Sequence, residues 1–241
     1  SINLNKTNYM IFKPTKQLNN DIKNLNLQIK FNNVIIERTS CTKYLGIYMD
    51  EDLNWQKHID YVHKKIVKFV GLFHKRRSFL PNDCCKNLYF AFVHSTISYG
   101  IEIYGNTFQT YLLIIEKTVN KILRILQCKR RRETHVIDLY KTYNTLPVSS
   151  LFKLHVLKFV HTFYHNKSKL PIVFHSYFKS NDSIHDHNTR HKSDYHIKLA
   201  SNSITYLGSA WWNALNKHIK DIAYLRRFMN ECKNFLWDNL S

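Results

Sequence analysis

Glycine and proline are scarce in this chain: five and four among 241 residues. So few joints exclude a repeat array of turns or a flexible linker protein. Acids are scarce too, 17 Asp and Glu against 36 Lys and Arg. No run of about 18 apolar residues is present, and no lipidation signal marks either end. The five cysteines, Cys41, Cys84, Cys85, Cys128 and Cys232, show no Cys-x-x-Cys spacing. That excludes a zinc ribbon and argues against a disulfide framework, so free thiols in a reducing compartment are expected. No internal repeat emerges. The first residue is Ser and no signal peptide follows, which reads as a fragment, or as a translation that starts mid-gene.

What is present is apolar mass and positive charge. Apolar residues make up 44%, enough for one fair-sized core or two small ones. The formal net charge is +19, and 14 histidines add to it in mild acid. A surface so charged repels itself and attracts polyanions. Nucleic acid is the expected partner, because each neutralised phosphate releases counterions. An anionic membrane surface is the alternative.

Periodicity predicts an α+β chain, mostly α. Residues 1–52 read as strand-rich. Tyr9 to Phe12 is a short apolar run stopped before Pro14. Leu27 to Phe31 and Val34 to Glu37 alternate about Asn32-Asn33, the pattern of a hairpin. Lys43 to Tyr48 reads as a further strand, with Gly46 at a close backbone approach or bulge. Asp50-Glu51-Asp52 then places acids ahead of a helix, where the macrodipole favours them.

From Trp55 the period changes. Trp55, Ile59, Val62, Ile66, Phe69 and Phe73 form an apolar seam at helical spacing. Lys57, Lys64, Lys68 and Lys75 line another face, and Arg76-Arg77 follow. A second helix is predicted from Asp83 to Tyr99, capped by Asn82 or Asp83, and a loop is predicted around Gly100 and Gly105. A third helix, Tyr111 to Cys128, carries Leu112, Ile115, Val119, Ile122 and Leu126 on one side. Lys121 and Arg124 lie in a stretch without acids that ends in Lys129-Arg130-Arg131-Arg132. Further helices are expected over 134–143, 149–165 and 225–240, with a polar, His-rich loop over 180–203. The predicted division is 1–52, 53–132 and 133–241.

A series of phrases, taken in order, resembles the reverse transcriptase of LINE-type, non-LTR retrotransposons, most closely the jockey-like group. Asn5-Lys6-Thr7 with Tyr9 to Phe12 resembles that family's Asn-x-x-Lys-Thr strand near the end of the palm. Lys43-Tyr44-Leu45-Gly46-Ile47 with Asp50 resembles its Tyr-Leu-Gly strand, the counterpart of the primer grip. Leu53 to Ile59 matches the Leu-x-Trp-x-x-His-Ile start of the thumb. Tyr99-Gly100 and Tyr104-Gly105 resemble a Tyr-Gly-x-x-x-Trp-Gly phrase, with Tyr104 in place of Trp. His187-Asn188-Thr189-Arg190 and Trp212-Asn213 resemble phrases after the thumb.

The resemblance implies a small antiparallel palm remnant, a helical thumb and a helical C-terminal region. It implies RNA template, DNA primer or target, and an RNA–DNA hybrid as partners, with the upstream palm and fingers, in nucleus and cytoplasm. It implies Mg²⁺ for the intact polymerase, held by paired aspartates upstream of Ser1, so this chain alone is expected to be inactive. Lys6 would approach the incoming triphosphate. Tyr44, Leu45 and Gly46 would form a turn laying backbone against the primer's terminal sugar-phosphate. The lysine row, Arg76, Arg77, the 129–132 patch and Arg190 would meet nucleic-acid backbone. Duller readings stand beside these. A charge run is often a solvated face, Asp50-Glu51-Asp52 reads as a helix cap, and Trp211 and Trp212 read as core. A metal at His185, His187 and His191 is disfavoured because no cysteine is close. The alternative function is a stand-alone nucleic-acid-binding protein derived from such an element.

Overall fold

The computed structural model describes residues 7–12, 27–31, 33–130, 132, 134–178 and 203–240. Among the described residues six short strands come first: β1 (Asn8–Tyr9), β2 (Lys30–Phe31), β3 (Val34–Ile35), β4 (Glu37–Arg38), β5 (Cys41–Tyr44) and β6 (Ile47–Asp50). The helices are α1 (Gln56–Arg76), α2 (Asn82–Leu88), α3 (Ser95–Ser98), α4 (Ile101–Tyr104), α5 (Gln109–Leu126), α6 (Val136–Thr142), α7 (Val148–His165), α8 (Ile204–Asn213), α9 (Lys217–Lys220) and α10 (Leu225–Asp238). The molecule is α+β and mostly α.

The strands form three separate pairs. β2 and β3 are antiparallel with Phe31 opposite Val34, so the expected hairpin is there, and Asn33 takes the left-handed backbone its side chain tolerates. β1 instead runs parallel to β4. β5 and β6 are antiparallel, with Tyr44 opposite Ile47. The stretch Lys43–Tyr48 is therefore not one strand but the end of a hairpin. Leu45 and Gly46 make its two-residue turn, with φ of 46° and 86°. Positive φ at both positions is what the twist of a tight hairpin requires. Gly46 accepts it freely, whereas a leucine there costs about 1–2 kcal/mol.

Asp50 sets the angle at which the chain enters α1. Its carboxylate is buried and accepts the backbone N–H of Asn54 (3.1 Å) and of Trp55 (2.9 Å). The acid does act at the head of the helix, but on the two residues before its first turn. Along α1 the seam Ile59, Val62, Ile66 and Phe73 is buried, and it packs on the predicted row of α5, Leu112, Ile115, Val119, Ile122 and Leu126, all buried. This is the most extensive helix pair in the molecule.

Residues 82–98 differ from the expected regular helix in two ways. Pro81 stands at the N-cap and neither Asn82 nor Asp83 caps. The middle, Tyr89–His94, is π-helical and joins α2 to α3. Such a segment carries looser i→i+5 hydrogen bonding. Here Ser95 and Thr96 return their hydroxyls to the carbonyls of Ala91 and Phe92. The predicted loop at 100–105 is largely α4.

Apolar residues lie on nearly every side of α7, which makes it the central helix. α8 and α10 pack against it. From α10, the Trp237 indole N–H donates to Thr145 O at 3.0 Å, before α7. Trp212 is buried and stacks on Tyr164 with ring centroids 5.0 Å apart, and Trp211 meets Phe152 edge-on. Both tryptophans are packing groups. The buried apolar residues form a cluster from Ile47 to Leu236 that crosses both expected boundaries, at 52 and at 132.

Candidate nucleic-acid interface

The Tyr44-Leu45-Gly46 phrase stands at the tip of the β5–β6 hairpin. Tyr44 and Leu45 are 63% and 72% exposed, too much apolar surface for a strand folded into a core. The tip is braced from behind. The Tyr99 hydroxyl donates to Leu45 O at 2.6 Å. The same ring fills the space beneath Gly46, where an added Cβ would lie 3.2 Å from Tyr99 Cε1. Gly100 has φ +68°, and a Cβ on it would sit 2.5 Å from Ile47 Cδ1. Tyr104 is fully buried, donates to Ile97 O, and meets the His58 ring edge-on with centroids 4.6 Å apart. A Cβ on Gly105 would strike Phe152 of α7 at 2.5 Å. The two Tyr-Gly phrases thus join the hairpin, α1 and α7.

Between the hairpin and the helices lies a cavity of about 230 Å³, lined by Leu45, Gly46, His58, Tyr61, Lys65 and Tyr99, with Val62 and Thr96. Two lysines converge beside it. Lys43 Nζ lies 3.4 Å from the Tyr61 hydroxyl, and Lys65 Nζ lies 4.6 Å from the Tyr61 ring centre. Hydrogen bonding from Lys65, then from Lys43, holds the Tyr61 phenol below its ordinary value. His58 Nδ1 accepts the Tyr48 N–H at 3.3 Å. Burial first, then the charges of Lys65 and Lys43, pull this imidazole down to about 4, so it is neutral at physiological pH and carries its proton on Nε2. Sequence reasoning missed His58, Tyr61 and Lys65 as a group. Their i, i+3, i+7 spacing was the available signal.

Lys57, Lys64, Lys68 and Lys75 are all exposed. At 100° per residue they occupy the side of α1 opposite Ile59, Val62 and Ile66, and Arg76 is exposed beyond them. Arg77 differs: its guanidinium donates to Ile125 O at 3.0 Å and ties the end of α1 to α5. A second, larger hollow opens there, an open groove of about 810 Å³. Its basic lining is His74, Arg77, Lys117, Lys121, Arg124 and Lys129. The lysine row does not line it. The structure therefore separates the expected nucleic-acid-binding residues into an outward stripe on α1 and a groove between α1 and α5. Arg130 and Arg132 are exposed beyond the end of α5. Lys6, Arg131, Arg190 and the histidines 185, 187 and 191 lie outside the described residues.

The acids do not fit a magnesium site. Both Asp50 oxygens accept backbone N–H groups, and Glu51 pairs with Arg38 at 3.0 Å. Among the described residues no three His, Cys, Asp or Glu side chains converge as metal ligands, and no helix is long and apolar enough to cross a membrane. Compared with protein-family models, with curated proteins and with solved structures, the chain matches none of them.

Proposed function

We propose that this chain is the C-terminal part of a LINE-type non-LTR reverse transcriptase, which grips a primer–template RNA–DNA duplex while other parts of the polymerase carry out synthesis. The observation that carries this reading is the hairpin. The phrase that resembles the primer grip forms an exposed tip, and the phrase that resembles Tyr-Gly-x-x-x-Trp-Gly supplies its brace through Tyr99 and Gly100. In this reading the tip lays Leu45 and Gly46 backbone against the end of the primer. Lys43 and Lys65 supply positive charge beside it, and the Lys57–Lys75 stripe follows the duplex backbone. Such contacts position a duplex and carry no sequence information. The family's metal chemistry falls to residues other than Asp50, Glu51 and Asp52.

Filter binding of an RNA template annealed to a recessed DNA primer, over a salt series, tests this. Affinity is expected to fall steeply with salt. Tyr44→Ala with Leu45→Ala is expected to weaken the recessed hybrid about tenfold, roughly 1.4 kcal/mol, with little effect on a blunt hybrid. Lys64→Glu with Lys68→Glu is expected to weaken both. A flat salt response, or equal losses on recessed and blunt ends for the tip variant, overturns the assignment.

A further inference from the structure

The groove between the end of α1 and α5 has a shape and a chemistry unlike those of the hairpin tip. Its cations come from two helices that Arg77 pins together. Lys117, Lys121 and Arg124 stand at i, i+4 and i+7 on α5, with Lys129 just past its end. Successive charges on the helix are therefore about 6 and 4.5 Å apart along a straight axis, so the rail from Lys117 to Arg124 is roughly 10 Å long, and Lys129 turns back beside its end, its N–H donating to Arg124 O at 3.0 Å. Asn120, Ile125 and Val136 complete the lining. Among the described residues no Asp or Glu lines the groove, nor any Phe, Tyr or Trp. The Arg124 Nε is buried without a hydrogen-bond partner among them.

We propose that this groove binds the phosphodiester backbone of an unpaired nucleic-acid strand without reading its bases. The charge pattern selects a polyanion, because a row of cations without interspersed acids gains by releasing counterions from successive phosphates. The geometry selects a single strand. A volume of about 810 Å³ spread over roughly 10 Å of rail leaves a channel on the order of 9 Å across. That admits one sugar-phosphate chain. A duplex strand completes a turn in about 34–36 Å, so over the length of this rail it already winds nearly a third of the way round its partner and bends off a straight row of charges. An extended single strand can stay on the row. The lack of aromatic rings in this lining sets the mode: without stacking platforms, the bases point outward and the strand is held by backbone alone. The inference does not depend on the hairpin reading, since a protein with no polymerase ancestry and this groove would bind the same ligand.

Fluorescence anisotropy with short single-stranded DNA and RNA of several unrelated sequences tests it on the full chain. Lys117 and Lys121 are exposed, so Lys117→Gln with Lys121→Gln is expected to keep the helical circular-dichroism spectrum. Single-strand affinity at low salt is expected to fall at least about tenfold. The log–log salt slope is expected to fall by about 1.4, at about 0.7 for each phosphate that the two lysines no longer neutralise. Affinity should differ little among sequences. The preference for a recessed over a blunt hybrid should be unaltered by this variant, so the outcome is separate from that of the hairpin. An unchanged single-strand slope, or an equal loss of blunt-duplex binding, overturns the proposal. So does strong discrimination among sequences.

Discussion

At the scale of single residues, the hairpin tip depends on two residues that are not part of it. The Tyr99 hydroxyl restrains the Leu45 carbonyl, and Gly100 leaves room for Ile47. Tyr99→Phe keeps the ring beneath Gly46 and removes only the hydrogen bond. It is expected to cost about 0.5–1.5 kcal/mol in urea unfolding and to speed amide exchange at the tip. Gly100→Ala adds a methyl where Ile47 Cδ1 stands 2.5 Å away, at a φ of +68°. Its expected cost is larger, about 1–3 kcal/mol. If Gly100→Ala is as stable as the parent chain, the hairpin does not sit against α4 as described.

At the scale of elements, the inner and outer faces of the α1–α5 pair have opposite sensitivities. Ile66 is fully buried, and Ile66→Ala is expected to cost about 2–5 kcal/mol. The Lys64→Glu and Lys68→Glu changes on the outer face should each stay within about 0.5 kcal/mol in the same denaturant titration. Equal costs on both faces would mean that the buried seam is misassigned. These two helices were legible in the sequence because their apolar rows repeat at 3.6 residues and little interrupts them. The π-helical turn at Tyr89–His94 was not legible. The run Tyr89-Phe90-Ala91-Phe92-Val93 is apolar in every direction and carries no phase. The hairpin turn was hidden for two reasons. The largely apolar run Tyr44–Tyr48 mimics a continuous strand, and Leu45 conceals a positive φ that Asn would have announced. The groove was half-visible. Lys121, Arg124 and Lys129 stood out as basic, but their meeting with His74 and Arg77 is set by how two helices cross, which a linear pattern does not encode.

At the scale of the whole molecule, charge and burial push the same way as the medium is acidified. The net charge of +19 grows as exposed histidines protonate, and self-repulsion grows with it. His58 and His94 resist that protonation, both drawn down to about 4, chiefly by burial. In the unfolded chain they titrate near about 6.5. Below that value the unfolded state binds protons that the native state refuses, so stability is full above about pH 6.5 and falls progressively toward pH 4. The urea midpoint is expected to drop across this window with little change in slope. A midpoint flat from pH 7 to 4.5 would mean that neither imidazole is enclosed.

Gly100 against Ile47 and Gly105 against Phe152 are places where the backbone of one element rests on a side chain of another with no slack. A hairpin seated this way cannot sink inward; it can only swing out. Load applied at its end therefore passes through the α4 turn into the central helix, so the tip behaves as a stiff lever with its fulcrum at two glycines.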